Sequence, residues 1–289
     1  MRNRTFHAII NEAISEQQIK KKDSEVLMKT LKVRNYHEMS VAGAVIIHEA
    51  VMEKLSRGEH FNLGLATGNT MIELYEILAE MFNDGKADLS GLQTWNLDEY
   101  AVDEHRAVPH DHPLSYWKYM HENLFNRFQP ERNFRECQAH FPDPSDPGKF
   151  DRELSAAGEL DLQLLGIGFN GHIAFNEPVD PLQISVRDYA ELPTRVLPLT
   201  KETIDQNTKI TANGDSSLVP RFAATTGMKP ILKSKRELLL ACFAEQEAPL
   251  RRMIGGKAPT PALPASYLLE HPDFRLIYTA DKINLDDVL

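Results

Sequence analysis

Leu164-Leu165-Gly166-Ile167-Gly168-Phe169-Asn170-Gly171-His172-Ile173-Ala174-Phe175-Asn176-Glu177-Pro178 is the stretch on which the reading of this chain turns. It opens as an apolar run of the kind that forms a buried strand and breaks at two glycines, Gly166 and Gly168. Asn170, His172, Asn176 and Glu177 then follow within eight positions before Pro178 stops the segment. An active-site loop at the end of a parallel strand has this order. Gly166, Gly168 and Gly171 let the backbone turn and approach a ligand without Cβ atoms in the way. His172 and Glu177 are left as the groups able to move protons. A glycine-rich connector with a chance histidine is the competing reading, so the rest of the chain is weighed against the loop.

Two earlier stretches have the same strand-then-loop form. Phe61 to Ala66 reads as a strand, followed by Thr67-Gly68-Asn69-Thr70 and an apolar-periodic helix from Met71 to Met81. That turn offers backbone N–H groups and a helix N-terminus to an anion, which makes it a phosphate-site candidate, although Thr and Gly also serve simply to cap such helices. Gln93 to Leu97 reads as a strand running into Asp98-Glu99-Tyr100. A partly desolvated carboxylate after a strand end can have its pKa raised toward that of a working base; the alternative is a carboxylate that caps the next segment.

Around these loops the pattern is that of an α/β protein. Ser40 is placed to cap a helix with apolar spacing from Val41 to Leu55, ending at Gly58. Ser115 to Phe128 reads as an aromatic-rich helix, Glu237 to Phe243 as a strand, Pro249 to Ile254 as a short helix and Phe274 to Tyr278 as a last strand. Strands alternating with helices from residue 40 onward imply a mostly parallel sheet covered on both faces. Residues 179 to 230 read as irregular apart from a strand at Thr194 to Leu199, and suggest a lid. Residues 1 to 35 read as an N-terminal extension, helical or loosely docked, with weak spacing at Ile10, Ile14, Met28 and Leu31. Residues 36 to 289 read as a single domain.

The totals narrow the function classes. The 289 residues are 42% hydrophobic and 26% charged, with a formal charge of −10. That balance argues against a nucleic-acid partner, which needs a basic face, but leaves room for a local anion pocket. Cys137 and Cys242 stand far apart, so neither a disulfide framework nor a zinc ribbon is expected. The longest apolar run, Leu238 to Ala244, is too short to span a bilayer, and the N-terminus lacks the apolar core of a secretory signal. The expectation is a cytoplasmic protein. Asp103, Glu104, His105, His110, Asp111 and His112 supply metal-ligating types, but the segment is loop-like, contains Pro109 and Pro113, and lacks helical ligand spacing, so no metal site is expected there.

Together, Leu65 to Thr70, Asn96 to Tyr100 and Gly166 to Pro178 resemble, in order and spacing, the glucosamine-6-phosphate deaminase family over about residues 36 to 280. The resemblance implies a Rossmann-like α/β fold and conversion of glucosamine 6-phosphate and water to fructose 6-phosphate and ammonia, with no metal or organic cofactor. By it, Asp98 would move the C2 proton to C1, His172 would assist ring opening, Glu177 would orient His172, and Asn170 would stand at the loop position that is Asp in some members. Thr67, Gly68, Asn69, Thr70, Gly171 and Lys209 would contact the substrate and its phosphate. The related 6-phosphogluconolactonases share the Gly-x-Gly-x-x-Gly-His core, but Ala174-Phe175-Asn176-Glu177-Pro178 takes the deaminase form.

The chain also departs from that family. Lys209 and Glu247 fall where Arg and Lys are usual, and a glutamate repels a dianion. Arg195, Arg221, Lys229 or Arg251 could substitute, or the substrate could differ. Asn69-Thr70-Met71 replaces the usual Gly-Thr-Pro. Gly256 to Ser266 looks like the corresponding segment of galactosamine-6-phosphate deaminases, which keeps that epimer open. Val179-Asp180-Pro181 stands where activated members carry serines, so activation by N-acetylglucosamine 6-phosphate is expected to be absent. A lactonase-like enzyme or a non-catalytic sugar-phosphate sensor are the rival functions, and a homo-oligomer is possible.

Overall fold

A computed structural model describes residues 16–20 and 27–289. In chain order the strands are β1 (Glu16–Lys20), β2 (Leu27–Val33), β3 (Phe61–Leu65), β4 (Leu92–Asn96), β5 (Asp98–Asp103), β6 (Arg106–Ala107), β7 (Ala139–His140), β8 (Leu162–Gly166), β9 (Arg195–Pro198), β10 (Phe222–Thr225), β11 (Glu237–Ala241) and β12 (Phe274–Thr279). They fall into two sheets. The larger runs β1-β2-β12-β11-β8-β3-β4-β7, parallel throughout except for the β1–β2 pair. The smaller runs β6-β5-β10-β9 and is antiparallel.

The central strands β3 and β11 are buried at every position, as strands covered on both faces must be. Helix α1 (Tyr36–Leu55) packs across β3, β11 and β12, and also against α2 (Ile72–Asp84). The expected cap at Ser40 is corrected: Asn35 caps α1, its Oδ1 accepting from Glu38 N at 3.1 Å, and the Ser40 hydroxyl is spent on Tyr36 O at 2.9 Å. The four residues before Ser40 are therefore helical.

The expected helical extension is likewise corrected where it is described. Leu27–Val33 is a strand paired in parallel with β12, and Met28, Leu31 and Val33 join the main core. Ile10 and Ile14 lie outside the described residues. Residues 179 to 230 are more regular than expected. They form helix α5 (Val186–Ala190), β9, helix α6 (Lys201–Ile210), β10 and helix α7 (Met228–Leu232). Between Asp98 and α5 lie two further helices, α3 (Tyr116–Asn123) and α4 (Pro147–Ala157).

The second sheet is what positions the site. The chain leaves the large sheet at Asn96, and after Leu97 alone it starts the small one at Asp98. Asp98 thus sits on the seam between the sheets. β10 lies antiparallel to both β5 and β9, so that Asp98, Thr225 and Arg195 stand side by side across three strands. A separate core of Tyr100, Phe175, Leu199, Ile204 and Ala223 fills the space beneath.

Candidate active site

Asp98 is buried, only 6% exposed. Burial pushes its carboxyl up to about 7, against hydrogen bonds from Thr225 and Phe175 and the nearby His172, which hold the ionised form down the scale. The Phe175 N–H reaches Asp98 Oδ1 at 3.3 Å and Thr225 Oγ1 at 3.1 Å. A carboxyl poised near neutrality, with its hydrogen-bond donors fixed, can take and return a proton at physiological pH.

Its neighbour Glu99 points the other way, as successive strand residues do. Glu99 accepts from Ser115 Oγ, Tyr116 N, Trp117 N and Tyr100 N at 2.8–3.1 Å. The capping role therefore belongs to Glu99, at the start of α3, and Asp98 takes no part in it.

The organising loop follows β8. Gly168 has its amide on His172 O at 3.0 Å, and a Cβ on Gly168 would lie 2.2 Å from His172 Nε2. Glycine is needed there because the imidazole fills the space. Gly171 has φ +91°, and a Cβ on it would meet Leu263 Cδ1 at 2.3 Å. Gly166, by contrast, would place a Cβ no closer than 3.6 Å to a neighbour, so close approach does not account for it. His172 Nδ1 lies 3.5 Å from Glu177 Oε2, within ion-pair reach but without a formed hydrogen bond.

Glu177 is the best-anchored group of the loop. Asn170 Nδ2 donates to its Oε2 at 2.8 Å, and the Thr203 hydroxyl of α6 donates to its Oε1. Burial alone would raise its carboxyl, but His172, Thr203 and Asn170 outweigh that and hold it below the usual carboxylate value. Asn170 also accepts from His172 N at 3.1 Å, tying backbone and carboxylate together. Asn176 is fixed by donating to Ile173 O and Thr226 O at 3.0 and 2.9 Å. Arg195 Nη1 donates to Asn176 Oδ1 at 2.8 Å.

The Thr67 to Thr70 turn follows β3 and enters α2 through a single turn of tighter helix at Asn69–Met71. Tyr119 donates to Gly68 O at 2.7 Å and Tyr36 to Asn69 O at 3.1 Å, while Gly68 has φ +116°. Thr67 shares a hydrogen bond with Tyr116, which stacks on Phe175 of the organising loop with ring centroids 6.1 Å apart, so the two loops face the same space.

The cations considered for a phosphate divide clearly. Lys209 is exposed on α6, off the face that carries Thr203 and Asn207 toward the site, and is not brought to the other candidate residues. Arg251 pairs with Asp287, Lys229 pairs with Glu191, and Arg221 is exposed. Glu247 accepts from Asn284 N at 2.9 Å. Arg195, on the strand position beside Thr225, lies close enough to Asp98 for the two charges to interact. The metal-ligating types at 103 to 112 have other work: Asp103 pairs with Arg106, His112 Nδ1 accepts from Leu114 N, and His110 stacks on Trp117.

Sequence reasoning missed Thr225 and Thr203 and placed Asn207 nowhere. Thr225-Thr226-Gly227 repeats the strand-then-Thr-Gly pattern of Thr67-Gly68, a signal that was legible. Thr203 carries none, since only the fold of α6 brings it to Glu177.

Comparison with known proteins adds a family model described as glucosamine-6-phosphate isomerases/6-phosphogluconolactonase, which matches residues 34–183. The chain belongs to this family. A glucosamine-6-phosphate deaminase of Thermoanaerobacter pseudethanolicus is 35% identical over 264 residues, 89% of this chain and 95% of that protein. One from Halothermothrix orenii is 36% identical, covering 89% of this chain and all of its own length. Among solved structures, a monomeric glucosamine-6-phosphate deaminase superposes with a TM-score of 0.73 at 29% identity, over 88% of this chain and 98% of its own. A 6-phosphogluconolactonase from Plasmodium vivax gives 0.69 at 17% identity over the whole of both chains, a likeness of fold alone. The Rossmann-like α/β architecture expected for the family is the one observed. Among the described residues no helix is long and apolar enough to cross a membrane.

Proposed function

We propose that this chain is an aminosugar-phosphate deaminase/isomerase that converts glucosamine 6-phosphate and water to fructose 6-phosphate and ammonia. The observation that carries the reading is Asp98, a buried carboxyl held near pH 7 beside His172 and the Phe175 amide, in a chain about a third identical to deaminases over most of its length. Once His172 has helped open the ring, the ionised Asp98 takes the proton from C2 and redelivers it to C1. One carboxylate on one face suffices for a transfer between neighbouring carbons. Water then attacks the C2 imine and ammonia leaves. Glu177, held by Asn170 and Thr203, orients His172. The Thr67 to Thr70 turn and Gly171 cradle the phosphate end, with backbone N–H groups and the α2 terminus as donors.

Ammonia release from glucosamine 6-phosphate and galactosamine 6-phosphate, assayed in parallel, tests the reading. Release from the gluco sugar, abolished in Asp98→Asn, supports it; release from the galacto epimer alone moves the substrate; silence with both sinks it. The rate curve is expected to be the same with and without N-acetylglucosamine 6-phosphate.

A further inference from the structure

At the end of the large sheet opposite Asp98 and His172 lies a cavity of about 200 Å³, whose apolar lining comes from Ile46 and Ala50 of α1 with Leu162 and Leu238. Its floor is Glu237, the first residue of β11. The side chain is buried, with 1% exposure, and neither carboxylate oxygen has a hydrogen-bond partner. The backbone is satisfied, its N–H donating to Asp273 O at 3.0 Å. Two guanidiniums border the cavity, but Arg236 and Arg275 are drawn to Asp273, 3.8 and 3.7 Å away, and leave Glu237 unpaired. A buried carboxyl with every acceptor position empty is rare and unfavourable, and the three leucines that follow it show what this strand otherwise carries. The cavity is therefore missing a hydrogen-bond donor.

We infer that this cavity binds a small primary alkylammonium ion, whose N–H groups donate to the Glu237 carboxylate while its carbon stem lies along Ile46, Ala50 and Leu238. The remaining charges agree. Glu49 and Glu53 of α1 line the mouth, Glu53 also pairing with Arg57 at 3.2 Å, and the two guanidiniums beside the cavity are turned to Asp273. An anion would meet a carboxyl at the floor. A metal ion would want several hard ligands in place of the apolar walls, and the described residues hold no group of three metal-ligating side chains. The strand between this floor and the C-terminal loops spans about 15 Å, so the site is separate from the proposed chemistry. Burial holds the empty Glu237 carboxyl well above the usual range. Binding an ammonium ion converts it to carboxylate and releases one proton to solvent.

The test is calorimetry and thermal unfolding of the full chain with butylammonium chloride. Tetramethylammonium, equal in charge but without N–H groups, is the control, and potassium chloride of equal ionic strength is the blank. Saturable binding of butylammonium alone is expected, with a Tm rise of about 2 °C or more at saturation. The heat should change with the ionisation enthalpy of the buffer, reporting the released proton. Glu237→Leu and the cavity-filling Ala50→Phe should each abolish binding and leave ammonia release unchanged. Absence of saturable binding, equal binding of tetramethylammonium, or binding that survives in a folded Ala50→Phe or Glu237→Leu variant would overturn the assignment.

Discussion

Thr225 on β10 lies directly across from Asp98 on β5, and the two side chains share the Phe175 amide of the histidine loop. This joint ties the Asp98 carboxyl to the loop that carries His172. Because burial lifts Asp98 to about 7, its working ionised form is lost as pH falls. The expected profile of kcat/KM is therefore a plateau above about pH 7 that falls tenfold per unit below it. Thr225→Val removes a donor that favours ionisation and should move the inflection upward. A profile flat from pH 5 to 8 would show that no group of this kind limits the reaction.

Gly168→Ala addresses His172 without touching a titratable group. The new methyl group would occupy the imidazole's place, 2.2 Å from Nε2. Ammonia release should fall by about a hundredfold, the scale of a small displacement of a catalytic group. Loss of folding is not expected, because Gly168 has no left-handed φ to preserve. The Tm separates the two: a large drop in Tm would place the effect on the fold and not on the ring.

The adjacent carboxylates Asp98 and Glu99 should answer in opposite ways. Glu99→Gln puts an NH2 where a carboxylate oxygen accepts two of four hydrogen bonds, and it should cost about 1–3 kcal/mol of stability. Asp98→Asn removes a carboxyl whose folded pKa lies above its unfolded value of 3.8. The penalty for ionising it is absent below pH 3.8, grows between there and about 7, and is constant above. Asp98→Asn should therefore be the more stable protein above pH 7, by at most ~4 kcal/mol, with the gain fading toward pH 4. Denaturant unfolding at pH 4, 6 and 8 checks the sign.

What the sequence made legible follows from local physics. The loop after β8 and the turns after β3 and β4 are punctuated by glycines and polar residues at strand ends, which a single stretch can reveal. The small antiparallel sheet is different. Arg195, Thr225 and Asp98 are far apart in the chain and meet only through strand pairing, so no local spacing marks them. The β2 strand was illegible for a related reason: Met28, Leu31 and Val33 alternate imperfectly, and it is the open edge of β12 that makes them a strand. Glu237 was read only as the first residue of the strand Glu237 to Phe243, because nothing in the sequence says that its carboxyl lacks a partner.

We propose that Arg195 supplies the phosphate-side cation that Glu247 does not. Only its Nη1 has protein acceptors among the described residues, Asn176 Oδ1 at 2.8 Å and Pro193 O at 3.4 Å. Nη2 and Nε remain for a ligand, on a guanidinium whose burial opposes its charge while Asp98 and Tyr189 favour it. An anionic substrate group would complete that environment. Arg195→Ala should raise KM for glucosamine 6-phosphate at least tenfold, the scale of one charge-assisted hydrogen bond. Arg195→Lys, which keeps the charge but not the fork, should fall between. If instead kcat drops while KM holds, Arg195 acts by holding Asn176 and the loop, and the phosphate is held by the Thr67 to Thr70 turn without it.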